Sequence, residues 1–286
     1  MSTTNERVSL KRGLDEVRNM AGRMRATAIE LGGIAGREGK GVHFGGSLSA
    51  IEIMATLYGA VMNYDSKHMN SDSRDRLFVG KAHCILAHLP ALEEMGIISR
   101  DELLHFREDG NPLLGYPRNL SLGLEYNGGS LGTAFSYAIG VALGYKRHNA
   151  PNHVYVLIGD GECDEGVIWE TIMAASKLQL DNVTLVIDRN HLQLEGETES
   201  ILPLDDLSMK LDAFGWEVAC ADGHDVASLF EALSRKGDGV PYAVIANTIK
   251  GKGVSFMEGN PVWHQGKLSQ EDYSKAIAEL GDASND

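Results

Sequence analysis

Residues 154–158 (VYVLI) and 183–187 (VTLVI) are two short runs that are almost free of polar side chains. Each stops in a polar turn, Gly159-Asp160-Gly161 after the first and Asp188-Arg189-Asn190 after the second. A strand that is apolar on both faces must be covered on both faces, which is the condition of a parallel sheet. Residues 166–178 between them read as a helix, so the unit is strand–helix–strand. Residues 216–220 and 242–247 are further strands around a helix starting near Asp225, and residues 76–80 (RLFVG) are another short one. The expected fold is α/β: a doubly wound, mostly parallel sheet with helices on both faces. Such sheets bind ligands at the carboxyl ends of their strands, where both polar turns fall.

Helices dominate the rest. Leu14, Val17, Ala21, Met24, Ala28 and Leu31 fall at spacings of three and four, which predicts a helix over residues 8–33, ended by Gly32-Gly33. Ser49-Ala-Ile-Glu52 has the capping-box pattern for a helix reaching Met62, so an N-terminal helical segment occupies about residues 1–70. Residues 83–95 are helical, and Ser99 and Glu102 cap another short helix. Residues 109–128 lack a period and read as a long loop, of the kind that often carries function. A helix rich in small residues follows from Ser130 to Arg147.

Composition narrows the function. The net charge of −14 argues against a nucleic-acid or anionic-membrane partner, which needs a basic footprint. No run of about 18 apolar residues is present to span a membrane. The N-terminal MSTTNERVSLKRG lacks an apolar signal core, and Cys84, Cys163 and Cys220 form no CxxC pair. The expected location is therefore the cytoplasm. Glycine is abundant, at 33 of 286 residues, and clusters in GREGKGVHFGGS, NGGSLG, GDGECDEG and KGKG. Glycines at the ends of apolar runs let backbone approach a ligand closely.

Asp160 and Asn190 are separated by one right-handed crossover, which sets their strands side by side and lets both side chains reach one point. A carboxylate and an amide oxygen are hard donors, suited to Mg²⁺ or Ca²⁺ rather than Zn²⁺. Mg²⁺ completes its octahedron with phosphate oxygens and water, and Gly159 and Gly161 leave backbone N–H groups free to meet those phosphates. The pair points to a metal–diphosphate site.

GDGECDEG followed by the strand-end Asn190 resembles the thiamine diphosphate motif. The chain as a whole resembles transketolase, specifically its N-terminal, diphosphate-binding section. The matching segments are HFGGSLSAIEI (43–53), GKAH (80–83), NGGSLG (127–132), GDGECDEG (159–166), DRN (188–190), DGHD (222–225), KGKGVSFME (250–258) and WHQGK (263–267), in the family's order. The resemblance implies a single thiamine diphosphate-binding fold over residues 1–286. It implies thiamine diphosphate with Mg²⁺, for which Ca²⁺ or Mn²⁺ can substitute, held by Asp160, Asn190 and the backbone carbonyl of Leu192. Gly129, Ser130 and Leu131 match the loop that contacts the aminopyrimidine. His43, His83 and His264 map onto the histidines around the reactive ring, with His83 and His264 also binding the cofactor. Glu165 and Glu170 match acidic residues linking paired active sites, and Glu165 is counted among the cofactor-binding residues. Carbonyl chemistry on a ketose needs proton transfer near neutrality, the range of histidine. His224 reads as a structural turn, and His68, His88, His105, His148 and His153 are given no role.

Two departures bear on the substrate. Gly115-Tyr116-Pro117 stands where the family has Gly-His-Pro, so Tyr116 takes the place of a donor-sugar contact, and Val42-His43-Phe44 replaces the usual flanks of the first histidine. The section that in the family supplies the activating glutamate and most phosphate-binding arginines has no counterpart here. The implied protein is one subunit of a split transketolase. Together with a separately encoded C-terminal subunit it would form an α2β2 heterotetramer that moves a two-carbon ketol unit between small sugars. The alternatives are a related transferase for a deoxy, branched or sulfonated sugar donor, the alpha chain of a 2-oxo acid dehydrogenase, and a cofactor-binding scaffold without activity. The histidine pattern disfavours the dehydrogenase chain, and the intact Asp160, Asn190, His43, His83 and His264 disfavour the scaffold.

Overall fold

The structure, a computed structural model, describes residues 12–64, 69, 71, 73–116, 122–126 and 128–283. The expected first turn of the N-terminal helix, Pro117 and Asn127 lie outside the described residues. Five parallel strands form one sheet in the order β1 (Arg76–Val79), β2 (Val154–Gly159), β3 (Val183–Arg189), β5 (Tyr242–Asn247), β4 (Glu217–Asp222). Alternation along the strands divides the core. Tyr155, Leu157, Val186, Tyr242 and Val244 face α1 (Leu14–Arg37), α2 (Ile51–Thr56), α3 (Ile85–Glu94) and α7 (Val226–Leu233). Val156, Ile158, Leu185, Ile187 and Ala243 face α4 (Thr133–Arg147), α5 (Gly166–Lys177) and α6 (Leu207–Ala213). The sheet is thus covered on both faces, as its apolar strands require. Among the described residues, no helix is long and apolar enough to cross a membrane.

Two local expectations change. Gly32-Gly33 does not end α1, which continues to Arg37. These glycines are contact points instead: a Cβ on Gly32 would lie 2.3 Å from the Phe44 ring, and one on Gly33 2.7 Å from the Tyr273 ring. Ser49 and Glu52 form no capping box, because tertiary partners claim both. Ser49 donates to Asp188 (2.6 Å), and Glu52 pairs with Arg25 and His224. The box at Ser99–Glu102 does form. α4 starts at Thr133 rather than Ser130, because Gly132 before it has φ 81, in the left-handed region.

Register brings the polar strand ends into one row. Gly159 lies opposite Asp188, and Arg189 opposite Asn247. The loops that leave these ends, together with residues 43–46 and 80–83, wall the site described next.

Candidate active site

A cleft of about 430 Å³ opens at this carboxyl edge. Three imidazoles meet inside it: the ring centroids of His43 and His83 lie 5.2 Å apart, and His264 lies 5.4 Å from each. They come from three separate segments, which only the fold assembles. Tyr116 presents its ring to His43 at 5.9 Å and packs over Gly129, where a Cβ would come within 3.1 Å of it.

Burial pushes all three imidazoles below the usual histidine range, with neighbouring cations adding to the effect. His43 falls to about 4 through burial, Arg107 and Lys250. His264 falls to about 3 through burial, then Lys250, His43 and Lys81. His83 is driven well below that range by burial, then by Lys81. The rings are therefore neutral at pH 7 rather than poised to titrate there, which corrects the simple expectation from histidine's ordinary range. Lys250 Nζ lies 2.9 Å from Nδ1 of His264. An ammonium can only donate, so the neutral His264 ring carries its proton on Nε2.

Beneath the rings lies a dense charged floor. Asp188 is fully buried and accepts from Lys81, Ser49 and Thr248. Burial would raise its carboxyl, but Lys81 outweighs this and holds it below the usual carboxylate range. Asp160 is 2% exposed and accepts from the backbone N–H of Gly161 (2.8 Å) and His191 (2.6 Å), and from Arg189 (3.3 Å). Burial and then Asp188 push its carboxyl up. Glu162 accepts from Gly132 N (2.7 Å) and Gly159 N (3.2 Å), joining the 129–132 loop to the end of β2; burial pushes it up to about 7.

Asp160, Asn190 and Leu192 all line the cleft. Their donor set is one carboxylate, one amide oxygen and one carbonyl, all hard. The Leu192 carbonyl already seats a positive charge: Lys250 Nζ donates to it at 2.8 Å and to the Gln193 carbonyl at 3.0 Å. Among the described residues, no group of three or more His, Cys, Asp or Glu side chains forms a metal cage. A small hard dication fits this oxygen set provided ligand oxygens complete its shell.

Of the residues expected from sequence, His43, His83, His264, Tyr116, Gly129, Leu131, Gly159, Asp160, Gly161, Asn190 and Leu192 line the one cleft. Ser130, Glu165 and Glu170 do not; they are exposed, and the Ser130 carbonyl accepts from Thr133. Sequence reasoning missed Lys81, Glu162, Asp188 and Lys250. Lys81 and Lys250 sit inside the GKAH and KGKG segments, where a cation among glycines beside a phosphate-type turn was the available signal. His224 is structural: it joins Glu52 (3.0 Å) and accepts from Ile249 N (2.8 Å), one residue from Lys250.

A family model described as "Transketolase, thiamine diphosphate binding domain" matches residues 20–285. The chain is 38% identical over 244 residues to an apulose-4-phosphate transketolase subunit from Actinobacillus succinogenes, covering 85% of this chain and 88% of that one. It is 39% identical over 241 residues to a 6-deoxy-6-sulfo-D-fructose transketolase subunit from a Clostridium species, covering 83% and 88%. Among solved structures, the transketolase of Leishmania mexicana superposes with a TM-score of 0.83 at 26% identity, over 93% of this chain and 41% of that longer one.

Proposed function

The chain belongs to the family of the transketolase thiamine diphosphate-binding domain, and on that premise we propose that it is the diphosphate-side subunit of a two-chain transketolase. The reaction is transfer of a two-carbon ketol unit from a ketose donor to an aldose acceptor. The observation that carries this reading is the trio of contacting imidazoles that shares one cleft with Asp160, Asn190 and Leu192.

Thiamine diphosphate, when bound, supplies the electron sink for breaking and making the carbon–carbon bond. Asp160, Asn190 and the Leu192 carbonyl would hold Mg²⁺, or Ca²⁺ or Mn²⁺ in its place. Gly159 and Gly161 do not keep the free N–H groups expected from sequence, since these donate to Glu162 and Asp160. Lacking side chains, the two glycines would instead leave the diphosphate room at the end of β2, and Gly129, Ser130 and Leu131 would form the wall for the aminopyrimidine. The imidazoles handle protons at the sugar hydroxyls. His264, protonated on Nε2, donates a hydrogen bond from that atom. His43 and His83, neutral at pH 7, each keep one ring nitrogen able to accept. Tyr116, against His43, contacts the donor sugar.

Two relatives are named as subunits, which supports a separate C-terminal partner here. In our reading residues 1–286 form one domain of a cytoplasmic α2β2 heterotetramer acting on small sugars, with no nucleic acid or membrane partner. Glu165 and Glu170, exposed beside and on α5, link its paired sites. Tyr116 favours a donor outside the ordinary ketose phosphates, a reading supported by the apulose phosphate and the sulfo-fructose in the relatives' names.

The test is to combine this chain with its partner, thiamine diphosphate and Mg²⁺, and assay ketol transfer. We expect the chain alone to be inactive and the mixture to turn over. Robust turnover by the chain alone overturns the split-subunit reading, and a mixture inactive with every ketose donor overturns the transferase.

A further inference from the structure

A second cleft of about 440 Å³ adjoins the first and shares His43, Tyr116 and Gln265 with it. A path therefore runs from the imidazoles, around the Tyr116 ring, to Arg107. That arginine is held with unusual care. Its φ is 63, in the left-handed region that a bulky side chain seldom adopts. The conformation is fixed from both sides: Arg107 N donates to the Leu113 carbonyl (2.9 Å), and Lys40 Nζ donates to the Arg107 carbonyl (2.5 Å). Backbone held in this way persists only where its surroundings over-determine it.

The guanidinium is half-buried and donates to the Gly41 carbonyl, yet among the described residues no carboxylate pairs with it. The acidic neighbours are committed elsewhere. Glu38 pairs with Lys40 at 2.7 Å, Glu108 pairs with His105 at 2.8 Å, and the fully exposed Asp109 side chain lies 3.8 Å from Lys40. Arg107 is thus a fixed cation with unused donors, set in a cavity wall within electrostatic reach of His43.

We propose that this second cleft recognises the acidic far end of the sugar substrate, and that Arg107 is the residue that reads it. The proposal rests on the transketolase reading for the identity of the sugar. A planar guanidinium fork matches the oxygens of a phosphate monoester or a sulfonate, and either can be taken bidentately. The carbonyl end then lies among His43, His83 and His264, and the chain of hydroxyls passes Tyr116. On this account the chain chooses its substrate by its own residue as well as through its partner.

The experiment has two arms. In the assembled enzyme, kcat/KM is measured for a phosphorylated ketose, a sulfonated ketose and the uncharged ketose erythrulose. Arg107→Gln is expected to lower the value for the acidic donor by about ten- to a hundredfold, the scale of a lost charged hydrogen bond, and to leave erythrulose within about twofold. Arg107→Lys keeps the charge without the fork and falls between. An equal loss for charged and uncharged donors marks a merely structural arginine and overturns the proposal, as does an unchanged ratio. In the isolated chain, inorganic phosphate and methanesulfonate are titrated against the His43 ring resonances. A saturable shift that disappears in Arg107→Gln supports the site, and the probe that produces it tells a phosphate from a sulfonate preference. No shift, or one that survives the substitution, overturns it. If the assembled enzyme transfers no ketol unit, the proposed function fails, while the second arm still decides the anion site.

Discussion

At the amino end of the sheet, Asp75 accepts from Asn63 N (2.7 Å) and His153 N (2.8 Å), Asn152 donates to the Arg74 carbonyl (2.8 Å), and the His153 ring meets Thr184 (2.8 Å). At the carboxyl end, Lys81, Asp160, Asp188 and Asn190 are buried to a similar depth. Both ends hold an imidazole, His153 or His83, driven well below the histidine range chiefly by burial. A perturbed histidine therefore marks burial and does not by itself mark a site. The amino end spends its polar groups on each other and on strand starts. The carboxyl end also pairs Asp188 with Lys81, Ser49 and Thr248, but it sets Lys81, His83, Asp160 and Asn190 on the wall of a cleft, with Asp188 close enough to Asp160 to raise the cost of ionising it. Polar groups on the wall of a cleft that can admit a ligand are what separate the two.

The sharpest way to break this contrast is Asp160→Ala. If the carboxyl end exists to hold a metal–diphosphate group, affinity for thiamine diphosphate with Mg²⁺ falls by about a hundredfold or more in the assembled complex, beyond the roughly 10- to 100-fold of an outer-layer partner. Calorimetry showing unchanged affinity would remove Asp160 from the site. Next is Asp188→Asn, which strands the Lys81 ammonium in the interior and is expected to cost about 3–5 kcal/mol in chemical denaturation. The matching change at the other end, Asp75→Asn, is expected to cost about 1–3 kcal/mol and to leave cofactor affinity alone. Equal effects on affinity from both ends would erase the distinction.

Smaller effects refine it. Tyr116→His is expected to move the ratio of kcat/KM between a ketose phosphate and the native donor by about 1–3 kcal/mol, the scale of one altered pocket contact. A uniform loss across donors would show that Tyr116 only packs on Gly129. Smallest is a pH effect on the empty chain. His43 at about 4 and His264 at about 3 resist protons when folded, whereas the unfolded chain takes them near 6.5. Between those values the unfolded state binds more protons, so stability falls as pH drops from 6.5 toward 4. The rings are partly open to water, which keeps the effect modest. In His264→Gln the slope of stability against pH over this window should be shallower, and an identical slope would mean that the ring is not held neutral.

What could be read from the chain alone was whatever depends on neighbours in sequence. The β2 and β3 runs declare a covered parallel sheet because strand burial is written in uninterrupted apolar residues. The crossover between them places Asp160 beside Asn190 because its handedness is all but obligatory. The capping box at Ser99 formed because its partners are local. The one at Ser49 did not, because a buried Asp188 is a stronger partner for its hydroxyl than a helix end, and nothing near residue 49 announces it. Gly32-Gly33 looked like a stop and proved to be clearance for Phe44 and Tyr273, which arrive from other elements. The neutral state of the three imidazoles, the Lys81–Asp188 pair, the seat of Lys250 on the Leu192 carbonyl and the lack of an ion pair between Arg107 and any described carboxylate were all decided by tertiary structure. Desolvation and Coulomb energy depend on distance and burial through space, and those two quantities exist only once the chain has folded.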